Sequence, residues 1–296
     1  MFFLLYAAIF IGVMKRMVEF NNLDSFDISQ ILECGQCFRF SEIESDHYKI
    51  IAHKKVLIVK QEGSSVKFSC SQEEFDNTWA NYFDMQRDYS ALKTFLAKDD
   101  PVMEEAIAHA PGIRILNQDF WEMVVSFIIS QNNRITMIKK VIENICEKYG
   151  KPIEGGFTFP SAQEMRLADI ASLAELKTGF RAKYIVDAVN KRLYGQLDEN
   201  ELKALKTDEI RSRLTSVYGI GEKVAHCILL FGLGRMDVFP TDVWIKRIMG
   251  ELYFGGADVP LKTIQEFAKD KWGDNSGIAQ QYLFHYARLG KIGVKK

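Results

Sequence analysis

The chain has 296 residues, of which 47% are hydrophobic, and 38 basic against 39 acidic residues give it a net charge of −1. This composition excludes disordered, collagen-like and disulfide-scaffold proteins, and it predicts a packed globular chain of one large or two ordinary domains. A near-zero charge also argues against a nucleic-acid partner, because phosphate binding usually leaves a basic surface. The charge is uneven, however, since it is +2 over residues 1–16, −7 over 17–118 and +4 over 119–296. An acidic first part can therefore hide a DNA-binding second part.

Residues 1–14 are uncharged and apolar, and Lys15 and Arg16 follow them. As a helix this segment would span about 21 Å, less than the roughly 30 Å core of a bilayer, and it lacks the features of a signal peptide. We interpret residues 1–16 as a mis-called start or a frayed extension of a cytoplasmic, nucleoid-associated protein, and we expect no membrane partner. A short membrane anchor through residues 1–14 is the alternative.

Residues 17–118 are predicted to form a small antiparallel sheet domain, because short β-branched runs alternate with polar or glycine-bearing links. The predicted strands are Cys37–Phe40, His47–Ala52, Val56–Gln61 and Val66–Cys70. Helices are expected near Gln72–Phe83 and Tyr89–Ala97, and prolines at 101 and 111 mark the exit from this domain.

Residues 119–296 are predicted to be helical, starting with Asp119 as the N-cap of the apolar stretch Phe120–Ser130. The other predicted helices are Ile135–Tyr149, Ser161–Leu167, Asp169–Ala174, Ala182–Tyr194, Glu199–Ala204, Thr207–Thr215, Lys223–Phe231, Asp242–Tyr253, Leu261–Lys271 and Gly277–Leu289. The expected fold class is therefore α+β, with an antiparallel sheet domain followed by an all-α domain.

Five dispersed cysteines predict reduced, buried thiols in a cytosolic protein. Cys34 and Cys37 have the C-x-x-C spacing, but no second pair follows and the flanking sequence favours a strand. No cysteine follows Cys227, which excludes a C-terminal four-cysteine iron–sulfur cluster. We expect neither a metal nor a cofactor.

The sharpest motif is a turn with glycines at 219 and 221, followed by Lys223 at the start of a helix. Glycines permit left-handed or closely approached backbone, and free N–H groups beside a helix N-terminus suit an anion such as a DNA phosphate. An ordinary helix corner with a solvated lysine is the alternative, because a G-x-G alone is weak.

Asp242 lies nineteen residues after Lys223, in a Pro-Thr-Asp segment that opens another helix. A lysine and an aspartate at two helix starts can converge on one cleft. The amine can act as a nucleophile, and the carboxylate can support positive charge on a sugar. Simple N-capping is the alternative for Asp242.

Gly219–Ala225 together with Pro240–Asp242 resembles the helix-hairpin-helix, Gly/Pro-Asp superfamily of DNA glycosylases. Within it, most of residues 17–296 resembles a bacterial-type member of the 8-oxoguanine DNA glycosylase/AP lyase family. The supporting stretches are Gly35–Phe40, Ser126–Asn133, Gly179–Tyr184 and Ala279–Phe284. The resemblance implies a monomer that acts on double-stranded DNA containing oxidised guanine.

The resemblance also implies the chemistry. Lys223 would attack the sugar C1′, displace the base and form a Schiff base, after which β-elimination nicks the strand. Asp242 would stabilise the cationic sugar. The flipped base would be gripped by Phe284, Cys227 and Gln280, and the Gly35 carbonyl would distinguish oxidised from ordinary guanine. Core positions for Phe284 and Cys227 and a turn at Gly35 are the alternatives.

On the other side of the lesion, Asn132 resembles the residue that fills the hole left by the base. Phe180 resembles a wedge inserted into the stack, and Arg181 a reader of the orphaned cytosine. Asn132 could instead cap a helix, and Phe180 could be core. Met137 and Trp244 depart from the pattern of animal members, so opposite-base discrimination is expected to be relaxed.

Two further hypotheses stay open from the sequence. The same fold can act on another damaged base, although Lys223 counts against an alkylpurine type. A non-catalytic helix-hairpin-helix DNA-binding protein is the other, and it requires Lys223 and Asp242 to be incidental.

Overall fold

The computed structural model describes residues 17–290. The predicted extension at residues 1–16, with its alternative as a membrane anchor, lies outside the described residues, as do residues 291–296. No helix between residues 17 and 290 is long and apolar enough to cross a membrane.

The first part of the chain is a five-stranded antiparallel sheet with strand order β1-β5-β4-β3-β2. Its strands are β1 (Val18–Asn21), β2 (Phe40–Glu44), β3 (His47–Ala52), β4 (Lys55–Glu62) and β5 (Ser65–Phe68). The predicted antiparallel sheet is confirmed. In β3, alternate side chains beginning at Tyr48 are buried, as the period of two requires. The short helix α1 (Ile28–Glu33) joins β1 to β2 and was not predicted.

The predicted strand Cys37–Phe40 is wrong, because β2 begins only at Phe40. The buried Gln36 amide donates to the carbonyls of Ile31 and Arg114 at 2.9 and 2.8 Å, and its oxygen accepts from the Leu116 amide at 2.8 Å. These bonds pull the chain out of the sheet and fix the turn that contains Gly35.

Helices form the rest of the described structure. They are α2 (Gln72–Glu74, Phe75–Trp79 as a π-helical turn, and Ala80–Tyr82), α3 (Tyr89–Ala97), α4 (Pro101–His109), α5 (Phe120–Ser130), α6 (Ile135–Tyr149), α7 (Ile170–Ala174), α8 (Ala182–Leu193), α9 (Glu199–Lys203), α10 (Thr207–Thr215), α11 (Glu222–Leu233), α12 (Val243–Tyr253), α13 (Leu261–Trp272) and α14 (Ser276–Gly290). A small hairpin, β6 (Pro152–Ile153) and β7 (Gly156–Phe157), follows α6.

One domain-exit prediction and one helix prediction fail for local reasons. Pro101 opens α4 instead of ending a domain, because proline suits the first helical position and Asp100 caps the helix. Residues 162–167 form turns instead of a helix, and Leu167 is 83% exposed, so it brings no packing that would stabilise one. The predicted N-cap Asp119 is confirmed, since it accepts from the Glu122 amide at 2.8 Å.

The sheet and the helices have separate hydrophobic cores. The predicted division at residue 118 does not coincide with this separation, because buried side chains of α3 and α4 pack in the helical core. The two parts also meet in an ion pair, Arg39 to Glu122 at 3.5 Å, with both side chains nearly buried. This contact anchors the segment after Gly35 to the start of α5.

Candidate active site

The hairpin between α10 and α11 has the predicted conformation. Gly219 has φ +84°, in the left-handed region, and Gly221 caps α11 with φ −95°. Within the described part of the chain, no hydrogen bond involves the amide N–H of either glycine. Two free amides beside a helix N-terminus form a suitable site for a phosphate.

Lys223 lies in the first turn of α11 and is half-buried. Its amine is 5.8 Å from the ring centre of Phe127, and Cys227 lies one turn further along the same helix. Cys227 and then Asp242 raise the pKa of the Lys223 amine, against the opposing effect of burial. Burial raises the pKa of the Cys227 thiol, so at neutral pH the thiol is uncharged and Asp242 is the anion that stabilises the ammonium group. The amine must therefore lose a proton before it can attack.

Asp242 is the N-cap of α12, as the sequence allowed. Its Oδ1 accepts from the amides of Trp244 and Ile245 at 2.9 and 2.8 Å. The carboxylate is thus fixed by two backbone donors and still acts electrostatically on Lys223. The structure therefore brings the two predicted catalytic residues into one site, and capping and charge support are compatible roles for Asp242.

Gly35 and Phe284 lie next to each other. Gly35 has φ +87°, and a Cβ at this position would lie 3.3 Å from Cε1 of the Phe284 ring. Phe284 in turn contacts Trp244 edge to face, with ring centres 5.0 Å apart, and Trp244 follows the Asp242 cap. These contacts connect Gly35 and Phe284 to the start of α12, where Asp242 lies.

Gln280 lies one turn before Phe284 on α14 and is buried. Its Oε1 accepts a hydrogen bond of 2.8 Å from Nε2 of Gln281, which is also buried. No role was predicted for Gln281, although two adjacent glutamines on a mostly apolar helix were a usable signal. We use the name base pocket for the four residues that are expected to contact the base: Gly35, Cys227, Gln280 and Phe284.

Asn132 and Arg181, which were predicted to contact the DNA opposite the flipped base, are in contact with each other. Asn132 is exposed with φ +47°, and it lies in the loop between α5 and α6. Arg181 is buried, and its guanidinium donates to the carbonyls of Gln131 and Asn132 at 2.9 Å and of Thr178 at 3.3 Å. The guanidinium therefore holds the Asn132 loop, and burial lowers the pKa of Arg181.

Phe180 is 50% exposed, so it is not a core residue. It follows Gly179, whose φ of +59° needs the left-handed region, and the Arg181 guanidinium lies 4.4 Å from its ring centre. An exposed ring on a rigid turn has the geometry of an inserting side chain. Sequence reasoning missed the neighbouring Tyr184, which contacts Phe180.

All five cysteines are free and buried, as predicted. Among residues 17–290, no group of three or more His, Cys, Asp or Glu side chains is arranged to hold a metal ion.

Comparison with known protein families gives two adjacent matches. Residues 18–124 match the family described as 8-oxoguanine DNA glycosylase, N-terminal domain, and residues 125–273 match the HhH-GPD superfamily of base excision DNA repair proteins. A curated relative, the probable N-glycosylase/DNA lyase of Methanothermobacter thermautotrophicus, is 30% identical over 230 residues, which cover 70% of this chain and 72% of the relative.

Solved structures of similar proteins agree with these matches. The 8-oxoguanine glycosylase/lyase of Clostridium acetobutylicum, in complex with double-stranded DNA containing cytosine opposite 8-oxoguanine, is 41% identical with a TM-score of 0.89, and 94% of this chain and 97% of that chain are covered. MBOgg1 in complex with a low affinity DNA ligand is 45% identical with a TM-score of 0.89, and the coverage is 93% and 96%.

Proposed function

This chain belongs to the 8-oxoguanine DNA glycosylase family of helix-hairpin-helix base excision repair proteins, and from that membership we propose that it excises 8-oxoguanine through Lys223. The relatives are bifunctional N-glycosylase/DNA lyases, which remove a base and then cleave the strand at the abasic site. The residue assignment is supported by the position of Lys223 at the start of α11, where the charge of Asp242 at the start of α12 acts on its amine.

The reaction needs a base that has left the double helix, since the N-glycosidic bond is out of reach inside the stack. A bond forms between Nζ of Lys223 and the sugar C1′ while the bond from C1′ to the base breaks. The departing base leaves with the electron pair of that bond, and the proton that the amine loses neutralises it. Asp242 stabilises the positive charge that develops on the sugar.

The bond from C1′ to the ring oxygen O4′ then breaks and O4′ takes up a proton, so the opened sugar and Lys223 are joined through a C1′=N bond as a Schiff base. This cationic imine withdraws electrons from the sugar, so a proton is lost at C2′ and the 3′ phosphate leaves in β-elimination. Hydrolysis of the imine then releases Lys223. A monofunctional glycosylase that activates water would not nick the strand, so the lysine is what makes the enzyme a lyase.

Recognition of the base is assigned to the base pocket. Phe284 offers one ring face for stacking and Cys227 closes the other side. The Gln280 amide suits the Watson–Crick edge of the base. The Gly35 carbonyl would accept the N7 hydrogen that oxidation adds to guanine, whereas ordinary guanine presents only an acceptor at N7.

On the DNA side, we assign phosphate binding to the amides of Gly219 and Gly221. Asn132 would occupy the vacated space, Phe180 would enter the stack, and Arg181 would read the opposite cytosine after releasing part of its contact with the Asn132 loop. Met137, 41% exposed beside that loop, offers no hydrogen bond to the opposite base, so we expect relaxed discrimination there.

The test is a duplex oligonucleotide that contains 8-oxoguanine opposite each of the four bases, incubated with wild type and with Lys223→Gln. We expect base release and strand nicking by wild type, and loss of both by at least about 10³-fold in the variant. Failure of folded, DNA-binding wild-type protein to release the base would contradict the proposed substrate. A duplex with 3-methyladenine distinguishes the alkylpurine alternative, and a strict preference for cytosine would refute the role of Met137.

We further propose that the enzyme acts as a monomer in the cytoplasm and needs no iron–sulfur cluster. Light scattering of the purified protein at micromolar concentration, with an iron assay on the same sample, tests the first and last of these statements. A dimer, or iron at one cluster per chain, would contradict them.

A further inference from the structure

Three aromatic side chains and one lysine lie side by side next to the hairpin, and we call them the aromatic strip: Phe180, Tyr184, Tyr218 and Lys183. The ring centres of Phe180 and Tyr184 are 5.8 Å apart, and those of Tyr184 and Tyr218 are 5.0 Å apart. Both contacts are edge to face, an arrangement that favours a fixed mutual orientation. The outer rings of Phe180 and Tyr218 are 50% and 55% exposed, whereas Tyr184 between them is half-buried.

Tyr184 also lies directly against the hairpin backbone. A Cβ on Gly219 would come within 2.4 Å of Cγ and Cδ2 of the Tyr184 ring, so only glycine leaves room for the ring. Gly221, two residues on, has open space at the equivalent position. The side chain thus fills a notch at one of the two glycines whose amides are free for a phosphate.

A polar contact one turn further along α8 reinforces this attachment. The Tyr218 amide donates to Oδ2 of Asp187 at 2.7 Å, and Asp187 also pairs with Lys191 at 3.1 Å. The helix that follows the wedge is therefore joined to the hairpin backbone at two successive turns. Of Tyr184 and Asp187, only Tyr184 also contacts Phe180.

The strip carries a positive charge as well as apolar area. The ammonium group of Lys183 lies 5.5 Å from the ring centre of Tyr184 and 5.2 Å from that of Tyr218, and the residue is exposed. Exposed rings beside a cation suit a polyanion in which base faces become accessible, such as DNA whose stack is opened at a flipped base.

We propose that Tyr184 is a positioning residue that ties the wedge Phe180 to the hairpin, so that phosphate binding at Gly219 and Gly221 determines where Phe180 enters the duplex. Without this ring, Phe180 keeps only the Arg181 guanidinium beside it. More of its side-chain freedom must then be lost at the moment of insertion, which costs entropy. The proposal rests on the proposed function, because it assumes that Phe180 enters the base stack.

The direct test measures wedge insertion without chemistry. The probe is a duplex that contains a stable abasic analogue with 2-aminopurine beside it, because unstacking of 2-aminopurine raises its fluorescence. At saturating protein, we expect Tyr184→Met to produce less than about half of the wild-type rise, since methionine keeps apolar volume but no ring. Tyr184→Phe is expected to restore the full rise, because the observed contacts are made by the ring. A wild-type rise with Tyr184→Met would overturn the proposal.

A double-mutant cycle separates coupling from general loosening of the fold. We expect Tyr184→Met to lower kcat on the 8-oxoguanine duplex about tenfold and to leave KM within about twofold, because the hairpin amides still bind. In a Phe180→Ala background the same change should lower kcat no further, since Tyr184 acts through the wedge. If the double variant instead showed the product of the two single-variant decreases in kcat, the proposal would be overturned.

Two controls keep the outcomes apart. Tyr194→Met removes a tyrosine that is 81% exposed at the end of the same helix, and it should behave as wild type in both assays. Tyr184→Leu serves as the ring-less variant if Tyr184→Met does not fold. If wild type excises nothing from the 8-oxoguanine duplex, the proposed substrate fails, but the fluorescence comparison still decides the role of Tyr184.

Discussion

The base pocket and the aromatic strip are built in opposite ways. Cys227 and Gln280 in the pocket are at most 4% exposed and are fixed by core packing, whereas Phe180 and Tyr218 in the strip are at least half exposed. These two residues are therefore held in place before DNA arrives, which the proposed discrimination between similar bases requires. The strip presents rings to solvent and holds them through the backbone of left-handed glycines and through Tyr184.

This difference shows which contacts fix the position of each side chain. In the pocket, neighbouring side chains leave little freedom, so a substitution should act on chemistry and selectivity. In the strip, Gly179 and Gly219 with φ of +59° and +84° set the direction of the chain, so a substitution should act on insertion and on the hairpin itself. The predictions that follow change first Asp242, which is linked to the pocket through Trp244, then the hairpin against which the strip packs, and last a contact that belongs to neither.

The largest effect is expected at the catalytic carboxylate. Asp242→Asn removes the charge that supports the sugar cation and should lower the rate of base excision by about 10²-fold to 10³-fold. Its effect on the free energy of unfolding should stay below about 0.5 kcal/mol, because asparagine is as good an N-cap as aspartate. Single-turnover excision and urea unfolding measure the two quantities.

The matched control for this prediction is Asp119→Asn. Asp119 caps α5 in the same way, with a bond of 2.8 Å from the Glu122 amide, but nothing places it beside Lys223. It should keep the wild-type rate within about threefold. A rate for Asp242→Asn as high as that of Asp119→Asn would remove Asp242 from the reaction.

The next effect concerns the hairpin. Gly219→Ala should lower the free energy of unfolding by about 1–3 kcal/mol, because the new methyl group overlaps the Tyr184 ring and φ is +84°. Gly221→Ala, with open space and φ −95°, should cost less than about 1 kcal/mol. Denaturant unfolding of both variants is the measurement, and equal losses would contradict the packing of Tyr184 on Gly219.

The smallest effect lies at the joint between the sheet and the helices. Burial raises the pKa of the Glu122 carboxyl to about 7 from its ordinary 4.5, although Arg39 opposes this. The folded chain then binds the proton more tightly than the unfolded chain, so this group's contribution to the free energy of unfolding falls as the pH rises from about 4.5 to about 7.

Glu122→Gln should therefore flatten the pH dependence of stability in that window, by a slope below about 1 kcal/mol per pH unit. The excision rate at fixed pH should stay within about threefold of wild type, because Glu122 reaches neither the pocket nor the strip. Thermal melts from pH 5 to pH 8 check the prediction. The prediction would be contradicted if the wild-type protein became more stable relative to Glu122→Gln as the pH rises from 5 to 7.

Features with local sequence signals were predictable. The glycines of the hairpin, the helix start at Lys223 and the cap at Asp242 depend on backbone preferences within a few residues, and the structure has them as expected. The antiparallel sheet was predictable for a similar reason, because short β-branched runs joined by tight links are local signals, and buried side chains alternate in β3 and in the middle of β4.

Features set by distant contacts were not predictable. Residues 37–39 form no strand because the Gln36 amide binds the carbonyl of Arg114, 78 positions away. The packing of Tyr184 on Gly219 likewise joins α8 to a hairpin two helices later. Arg181 was expected to face the DNA, yet in the protein alone its guanidinium binds the Asn132 loop, which only tertiary structure reveals. Its role toward cytosine therefore stays a prediction.

The identity of the nucleophile can be measured directly. Wild-type protein is incubated with an 8-oxoguanine duplex and sodium borohydride, and the trapped protein–DNA adduct is digested and sequenced by mass spectrometry. The account predicts one modified peptide, with the reduced sugar attached to Nζ of Lys223, and no adduct with Lys223→Gln. An adduct on a different amine, or base release without any adduct, would contradict it.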